Sequence, residues 1–278
     1  MKKFGIITLA LVFLLSGCSS DDKKAAALLQ RAEASFAAGN FNDAKLQIDS
    51  IRTMYPKSFE VRKAGIRLMQ QVDLQEQQKT LTYLDSMMQV KIASFDSIKG
   101  LFVLEKDTAY QEVGNYFYPT QVVEKNIGRS FLRAQVSELG EMSLTSIYCA
   151  GGSLHHTAVK VSSGELFAET QPSKDSYETT DLGRPVEKAD YKVGVDDGGV
   201  AAFLVANKDK KNIRLEFLGD RNYKTVMHPN DVKAVVALTD LARVLSAIEE
   251  IKKEQKEANL KIKFVTRKME ESQASATE

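Results

Sequence analysis

Apolar and polar positions change rhythm along this chain, and each rhythm predicts a different kind of element. From Ala25 the text "AAALLQRAEASFAAGNFNDAKLQIDSIRTMYPKS" is helical. Leu28, Leu29, Ala32 and Phe36 make one apolar face, Gly39-Asn40 interrupts it, and a second face runs through Ala44, Ile48 and Ile51 to Pro56. A further helix is predicted over Phe59–Gln71. Next comes "DLQEQQKTLTYLDSMMQVKIASFDSIKG", where Leu74, Leu81, Met88 and Phe95 recur every seven residues. Leu84 and Ile98 fill half of the companion row and Gln77 and Lys91 the rest, which is a heptad seam with polar gaps. Near the other end Leu238, Leu241, Leu245 and Ile248 keep the same rhythm, followed by Lys252 and Gln255. Two long helices of matched character are expected to pair, each roughly 40–60 Å long at about 1.5 Å per residue. The pattern leaves open whether the partners belong to one chain or to two copies of it.

Between Tyr116 and Met227 the period drops to two and turn residues multiply. "SFLRAQVSELGEMSLTSIYCAGG" predicts two strands about a turn at Leu139-Gly140, and "LHHTAVKVSSGELFAET" two more about Ser163-Gly164. "DDGGVAAFLVANKDKKNIRLEFLGDRNYKTV" is read as three further strands, with turns at Asp197-Gly198, Lys208–Asn212 and Gly219–Asn222. Roughly seven or eight short antiparallel strands predict a sandwich or a curled, barrel-like sheet. Pro229, with Asp231 close behind, marks the return to helix. The expected fold is α+β, an antiparallel β module inserted between two long helices.

The helical text that opens the body resembles one tetratricopeptide unit. Gly39, Phe41, Ala44, Ile48, Ile51 and Pro56 fall at the spacing of that motif's turn glycine, aromatic, small contact residue, second-helix core positions and closing proline, and Ala32 takes the small first-helix position. Thirty-four residues on, Asp73 stands where the next turn glycine would be, so no second copy follows. A lone hairpin cannot bury its own face, and the resemblance therefore implies a packed helical base rather than a peptide groove.

The front of the chain carries a different signal. Met1-Lys2-Lys3 is basic, and Phe4 to Leu15 is uncharged but too short to cross roughly 30 Å of hydrocarbon. Leu15-Ser16-Gly17-Cys18 then resembles the lipobox of bacterial lipoproteins. That resemblance implies cleavage before Cys18, lipid on its thiol, and an acylated new amine. At about 0.8 kcal/mol per buried methylene, two or three acyl chains would hold the protein on a bilayer. Ser19, rather than Asp, follows Cys18, and the Ser19-Ser20-Asp21-Asp22 tract resembles export tags of surface lipoproteins; outer-membrane attachment, facing the periplasm or the exterior, is implied. The expected segments are a signal peptide at 1–17, a lipidated tether at 18–27, the helical base at 28–72, a long helix and connector at 73–112, the β module at 113–228, a long helix at 229–271 and a disordered tail at 272–278.

Removing the first seventeen residues leaves 261 of 278 and, with Lys2 and Lys3 gone, takes the formal charge from +1 to −1. A body without a basic excess argues against nucleic acid as partner. With Cys18 given to lipid, Cys149 has no partner for a disulfide and is expected as a small buried hydrophobe. His155-His156 is the one histidine pair; on a strand the two rings point to opposite faces, one to solvent and one inward, which argues against a shared metal. Asp196-Asp197-Gly198-Gly199 lacks calcium-loop spacing and is read as a tight turn. Glu138 with Glu141 is one of many arbitrary carboxylate pairs, and Tyr116-Phe117-Tyr118 is read as an edge strand packed on the helices. No nucleophile-elbow, phosphate-loop or zinc-helix motif is present, and neither cofactor nor metal is expected. The favoured reading is a non-enzymatic envelope lipoprotein that binds or scaffolds a protein or glycan partner. The alternative is a hydrolase of envelope or glycan material with active residues in the β-module loops.

Overall fold

The computed structural model describes residues 16–181 and 183–274. Leu15 of the lipobox, the side chain of Cys18 and positions 275–278 lie outside the described residues. Within them the protein is α+β, with two antiparallel sheets that do not close into a barrel. The chain divides into two compact units, one built from residues up to Ser86 and from Lys253 onward, the other from Met87–Lys252.

The first unit is helical. Helix α1 covers Ser16–Ala37, so the stretch expected as a tether, 18–27, is helix by its backbone. Helix α2 covers Phe41–Met54, and α3 runs Phe59–Ile98 without the break expected near residue 72. Nothing stops it: after Gly65 neither glycine nor proline occurs before Gly100. Ala32, Ala44, Ile48, Leu68 and Val72 form the core, with Phe36 and Phe41 packed against it. Asp73, which displaces the repeat glycine, faces α2 and holds Lys45 Nζ at 2.7 Å, as does Glu76.

The second unit holds the sheets. One has six strands in the order β1 (Val103–Glu105), β2 (Asn115–Phe117), β3 (Phe131–Ser137), β4 (Met142–Tyr148), β8 (Arg184–Lys192) and β7 (Ser176–Asp181). The other has four: β10 (Tyr223–Val226), β9 (Arg214–Leu218), β5 (Ala158–Ser163) and β6 (Leu166–Glu169). Among the described residues there are ten strands, more than the pattern suggested, and the first lies ahead of the expected start at 113. The β7–β8 hairpin was hidden because its text, rich in charge and carrying Pro185, reads as connection. "VAAFLVA" is not a strand but a short helix, α4 (Val200–Ala206). Its buried Val200, Ala201 and Leu204 follow helical spacing, and the Asp197 carboxylate accepts the Ala201 N–H at 3.2 Å. Inward residues of both sheets, α4 and the first half of α5 (Pro229–Ala274) close one core around Leu132, Leu144, Leu204, Leu215, Phe217, Leu238 and Leu241.

Both heptad seams are real faces. On α3, Leu74, Gln77, Leu81, Met88, Lys91, Phe95 and Ile98 are half-buried and Leu84 is buried. On α5, Leu238, Leu241, Leu245 and Ile248 are buried, but Ile251 rather than Lys252 comes next, then Gln255, Ala258 and Val265. The step from Ile248 to Ile251 is three residues where a strict heptad asks for four, a stammer that overwinds the pairing locally. Within one chain the two helices meet: Met88, Phe95 and Ile98 pack on the core that includes the α5 residues Leu238, Leu241, Leu245 and Ile248, and Gln255 Nε2 donates to Asp85 Oδ1 at 2.7 Å. Helix α5 continues to Ala274, so 272–274 of the expected tail are helical.

The β3–β4 hairpin is tied to α5 at Gly140, whose φ is +83°. A Cβ there would stand 2.3 Å from the Ser246 backbone nitrogen, and Ser246 Oγ donates to the Gly140 carbonyl. Gly164, in the β5–β6 turn at φ +63°, faces open space. Both glycines carry a conformational penalty when substituted, about 1–2 kcal/mol, but only one carries an overlap. Urea denaturation is expected to show Gly164→Ala destabilised by that amount and Gly140→Ala by about 3 kcal/mol or more.

Candidate functional site

Strand alternation sets up two unlike faces on the six-stranded sheet. Along β4, Met142, Leu144, Ser146 and Tyr148 point into the core, while Ser143, Thr145 and Ile147 point out. Along β8, Glu187, Ala189 and Tyr191 point in, while Val186, Lys188 and Asp190 point out. Ser146 and Glu187 are therefore polar residues at core positions. The segment 154–157 brings His156 to them, held by the Thr157 N–H on the Leu218 carbonyl and by the Asp220 N–H on the Leu154 carbonyl.

The result is a chain of hydroxyl, imidazole and carboxylate. Ser146 Oγ lies 2.8 Å from His156 Nε2, and His156 Nδ1 lies 2.9 Å from Glu187 Oε2. Glu187 also accepts the backbone N–H groups of Leu154 and His156. At the other end Ser146 Oγ sits 3.2 Å from Tyr191 Oη, which donates to the Thr157 carbonyl at 3.1 Å. With an ionised Glu187 the network assigns the ring proton to Nδ1, leaving Nε2 to accept from Ser146. Burial disfavours the ionised Glu187, yet the His156 and Leu154 donors outweigh it and hold the carboxyl below its usual range. Burial pushes the Tyr191 phenol up to about 12, against the bonds from Ser146 and Thr170.

This is the connectivity of a nucleophile, a base and an orienting acid. It is also sealed. The His156 side chain is 0% exposed and that of Glu187 6%. Ser146 is 0% exposed, and the rings of Phe217 (5.1 Å) and Tyr148 (6.3 Å) meet the imidazole edge-on. No open space reaches Oγ, so the cluster as it stands works as a satisfied polar core that joins β4, β8 and the second sheet.

The outer face of the same sheet is open. A cavity of about 410 Å³ lies over Phe131, Arg133, Ile147, Val186 and Lys188, walled by the loop from Gln121 to Arg129. Cys149 lines it and is half-buried, not the buried hydrophobe expected, because it falls on the outward phase of β4. Arg129 spans to the buried Asp231 at 2.7 Å and to Asn126. A second hollow, about 600 Å³, lies where the sheet meets α5 near Met142, Thr239 and Ser246, whose polar atoms already bond one another or Gly140.

Other singled-out residues have structural partners. His155 is exposed, as expected, and its Nδ1 meets Asp220 at 2.8 Å, a contact that raises its pKa. Glu138 takes Lys106 Nζ and the Gly114 N–H, both at 2.7 Å, which hold it below the usual carboxylate range and separate it in role from Glu141. Tyr116 meets Phe95 edge-on at 6.0 Å, so the aromatic triplet does pack on helix, although β1 rather than β2 is the edge strand. Among the described residues no three His, Cys, Asp or Glu side chains converge as metal ligands. Ser146 and Glu187 escaped the sequence reading; the available signal was a polar residue in the apolar phase of each strand.

Glu187 gives a pH prediction. Its folded pKa is depressed, so its contribution is complete above the unfolded value, about 4.3, and is lost as pH falls through the folded one. The urea midpoint is expected to drop below about pH 5. Glu187→Gln should flatten that slope, while Glu187→Ala, leaving two backbone N–H groups unpaired in the core, should cost about 3 kcal/mol or more. Comparison with protein-family models, curated proteins and solved structures finds no match to this chain.

Proposed function

We propose that this chain is an outer-membrane lipoprotein, anchored through Cys18, that acts as a non-enzymatic binding or scaffold protein toward a protein or glycan of the envelope. The observation that carries the non-enzymatic half is the closure of Ser146, His156 and Glu187 within the core, while the open cavity outside the same sheet holds no paired acid and base. The anchored half rests on the order of basic start, apolar run and Leu15-Ser16-Gly17-Cys18. No described helix is long and apolar enough to cross a membrane, so attachment through a helix would need another segment. The helical unit serves as a tetratricopeptide-like base built from the α1–α2 hairpin and its Ala32–Ala44 contact, and the β module is an insertion, residues 87–252, between its two stretches.

The hydrolase reading has one observation in its favour, the Ser146–His156–Glu187 connectivity, and it requires Ser146 to become reachable. Two measurements separate the readings and test the anchor. Native protein treated with a fluorophosphonate should remain unlabelled at Ser146, whereas labelling there would establish the hydrolase. Cys18→Ser should move the protein out of the detergent-dependent membrane fraction, and its persistence there would refute lipid attachment at that sulfur.

A further inference from the structure

The outer-face cavity carries a charge imbalance that the fold does not resolve. Its lining includes Arg129, Arg133 and Lys188 and no carboxylate. Arg129 is answered by Asp231. Arg133 makes no hydrogen bond or ion pair with any described residue: its guanidinium lies over the Phe117 ring at 5.2 Å, and its Nε is buried without a partner. Lys188 is half-buried as well, its ammonium 5.7 Å from the Tyr177 ring centroid and outside ion-pair distance of every described carboxylate. The acid on that face, Asp190, lies outside the cavity lining and accepts from Thr145 Oγ1. Aromatic faces hold both cations in place without neutralising them.

The buried Arg133 Nε–H lacks an acceptor, and neither cation has a described carboxylate within ion-pair distance, so an arriving anion would meet unanswered positive charge. Arg133, on β3, presents a planar fork suited to two oxygens of one group, and Lys188, on β8 across the intervening β4, adds a second positive charge to the same cavity. Ile127, Phe131, Ile147 and Val186 supply apolar wall around them. A volume of about 410 Å³ admits a small molecule. We infer that this cavity binds a small amphipathic anion, a carboxylate or phosphate head on a short apolar arm, with Arg133 taking the head and Lys188 adding attraction from across β4. The inference names a ligand class for the β module read as a binding module above, and it does not depend on the anchor.

Cys149 lines the same cavity and serves as reporter. Native protein in nonionic detergent is alkylated with iodoacetate or iodoacetamide, and the Cys149 peptide is quantified by mass spectrometry. The two reagents share a leaving group and a similar size and differ in charge, so a change in thiol reactivity alone cancels in their rate ratio. At low ionic strength the iodoacetate-to-iodoacetamide ratio should exceed that of a free thiol by about fivefold or more and fall toward it in salt. Arg133→Gln/Lys188→Gln should abolish the excess, with the single variants used if the pair does not fold. Hexanoate or hexyl phosphate should slow iodoacetamide at Cys149 saturably, and neutral hexanamide should not. Protection by hexanoate alone assigns a carboxylate head, and by hexyl phosphate alone a phosphate head. A free-thiol ratio in the native protein, an unchanged ratio in the variants, or no protection by either anion overturns the inference. A soluble rather than anchored protein would refute lipidation and leave these rates untouched.

Discussion

The β unit depends on the closed contact of Ser146, His156 and Glu187 inside its core. A carboxylate, an imidazole and a hydroxyl are tolerated there because each finds partners: Glu187 takes two backbone N–H groups and the ring, and Ser146 gives its one proton to His156 Nε2. Paired, the groups fix which residue of β4 faces which residue of β8 and where the segment 154–157 crosses. Unpaired, each would cost more than an apolar residue in its place. Closure of the two sheets and the register of the central strands are thus parts of one constraint.

The same constraint explains the outward face. Once Ser146 and Glu187 are committed inward, Ile147 and Lys188 must face out, and Arg133, two residues from Phe131 on β3, joins them. The sheet therefore separates its polar chemistry into a neutralised interior and a cationic, uncovered exterior. An interior so arranged supplies rigidity, and an exterior so arranged supplies somewhere for an anion to sit. The helices contribute through their seams, and the early step from Ile248 to Ile251 shows that the α5 pattern changes phase once along its length.

Much of the architecture was legible in the alternation of apolar residues. The α1–α2 hairpin, both seams and the Leu139-Gly140 and Ser163-Gly164 turns follow from periodicity and turn chemistry, whereas His155 and His156 lie ahead of β5 rather than on a strand, and their opposite exposure comes from an irregular segment in which His155 has φ +50°. Three errors have identifiable physics. "VAAFLVA" is too short for its period to separate helix from strand, and the Asp197 carboxylate, which accepts the Ala201 N–H, supports the helical start. Lys252 occupied the strict heptad position, but Ile251 offered more apolar area one residue earlier. In the β7–β8 hairpin the described residues of β7 are all exposed, β8 carries a charge in the core at Glu187, and Pro185 follows the turn, so the text mimics a loop. The candidate site was less legible, because a serine and a glutamate in strands look ordinary until tertiary pairing shows both in the core phase. The three cations of the outer cavity come from β3, β8 and the connecting loop, and only the register joins them.

Water and substrates do not reach His156 in the folded protein, where the ring is buried. Nitrogen-resolved NMR of the histidine rings tests this directly. A sealed ring gives a visible Nδ1–H signal at neutral pH that exchanges with solvent at least about a thousandfold more slowly than the exposed ring of His155, since exchange then waits on opening of the core. Exchange at His156 as fast as at His155 would mean that the chain of Ser146, His156 and Glu187 is open, and the non-enzymatic reading would fall.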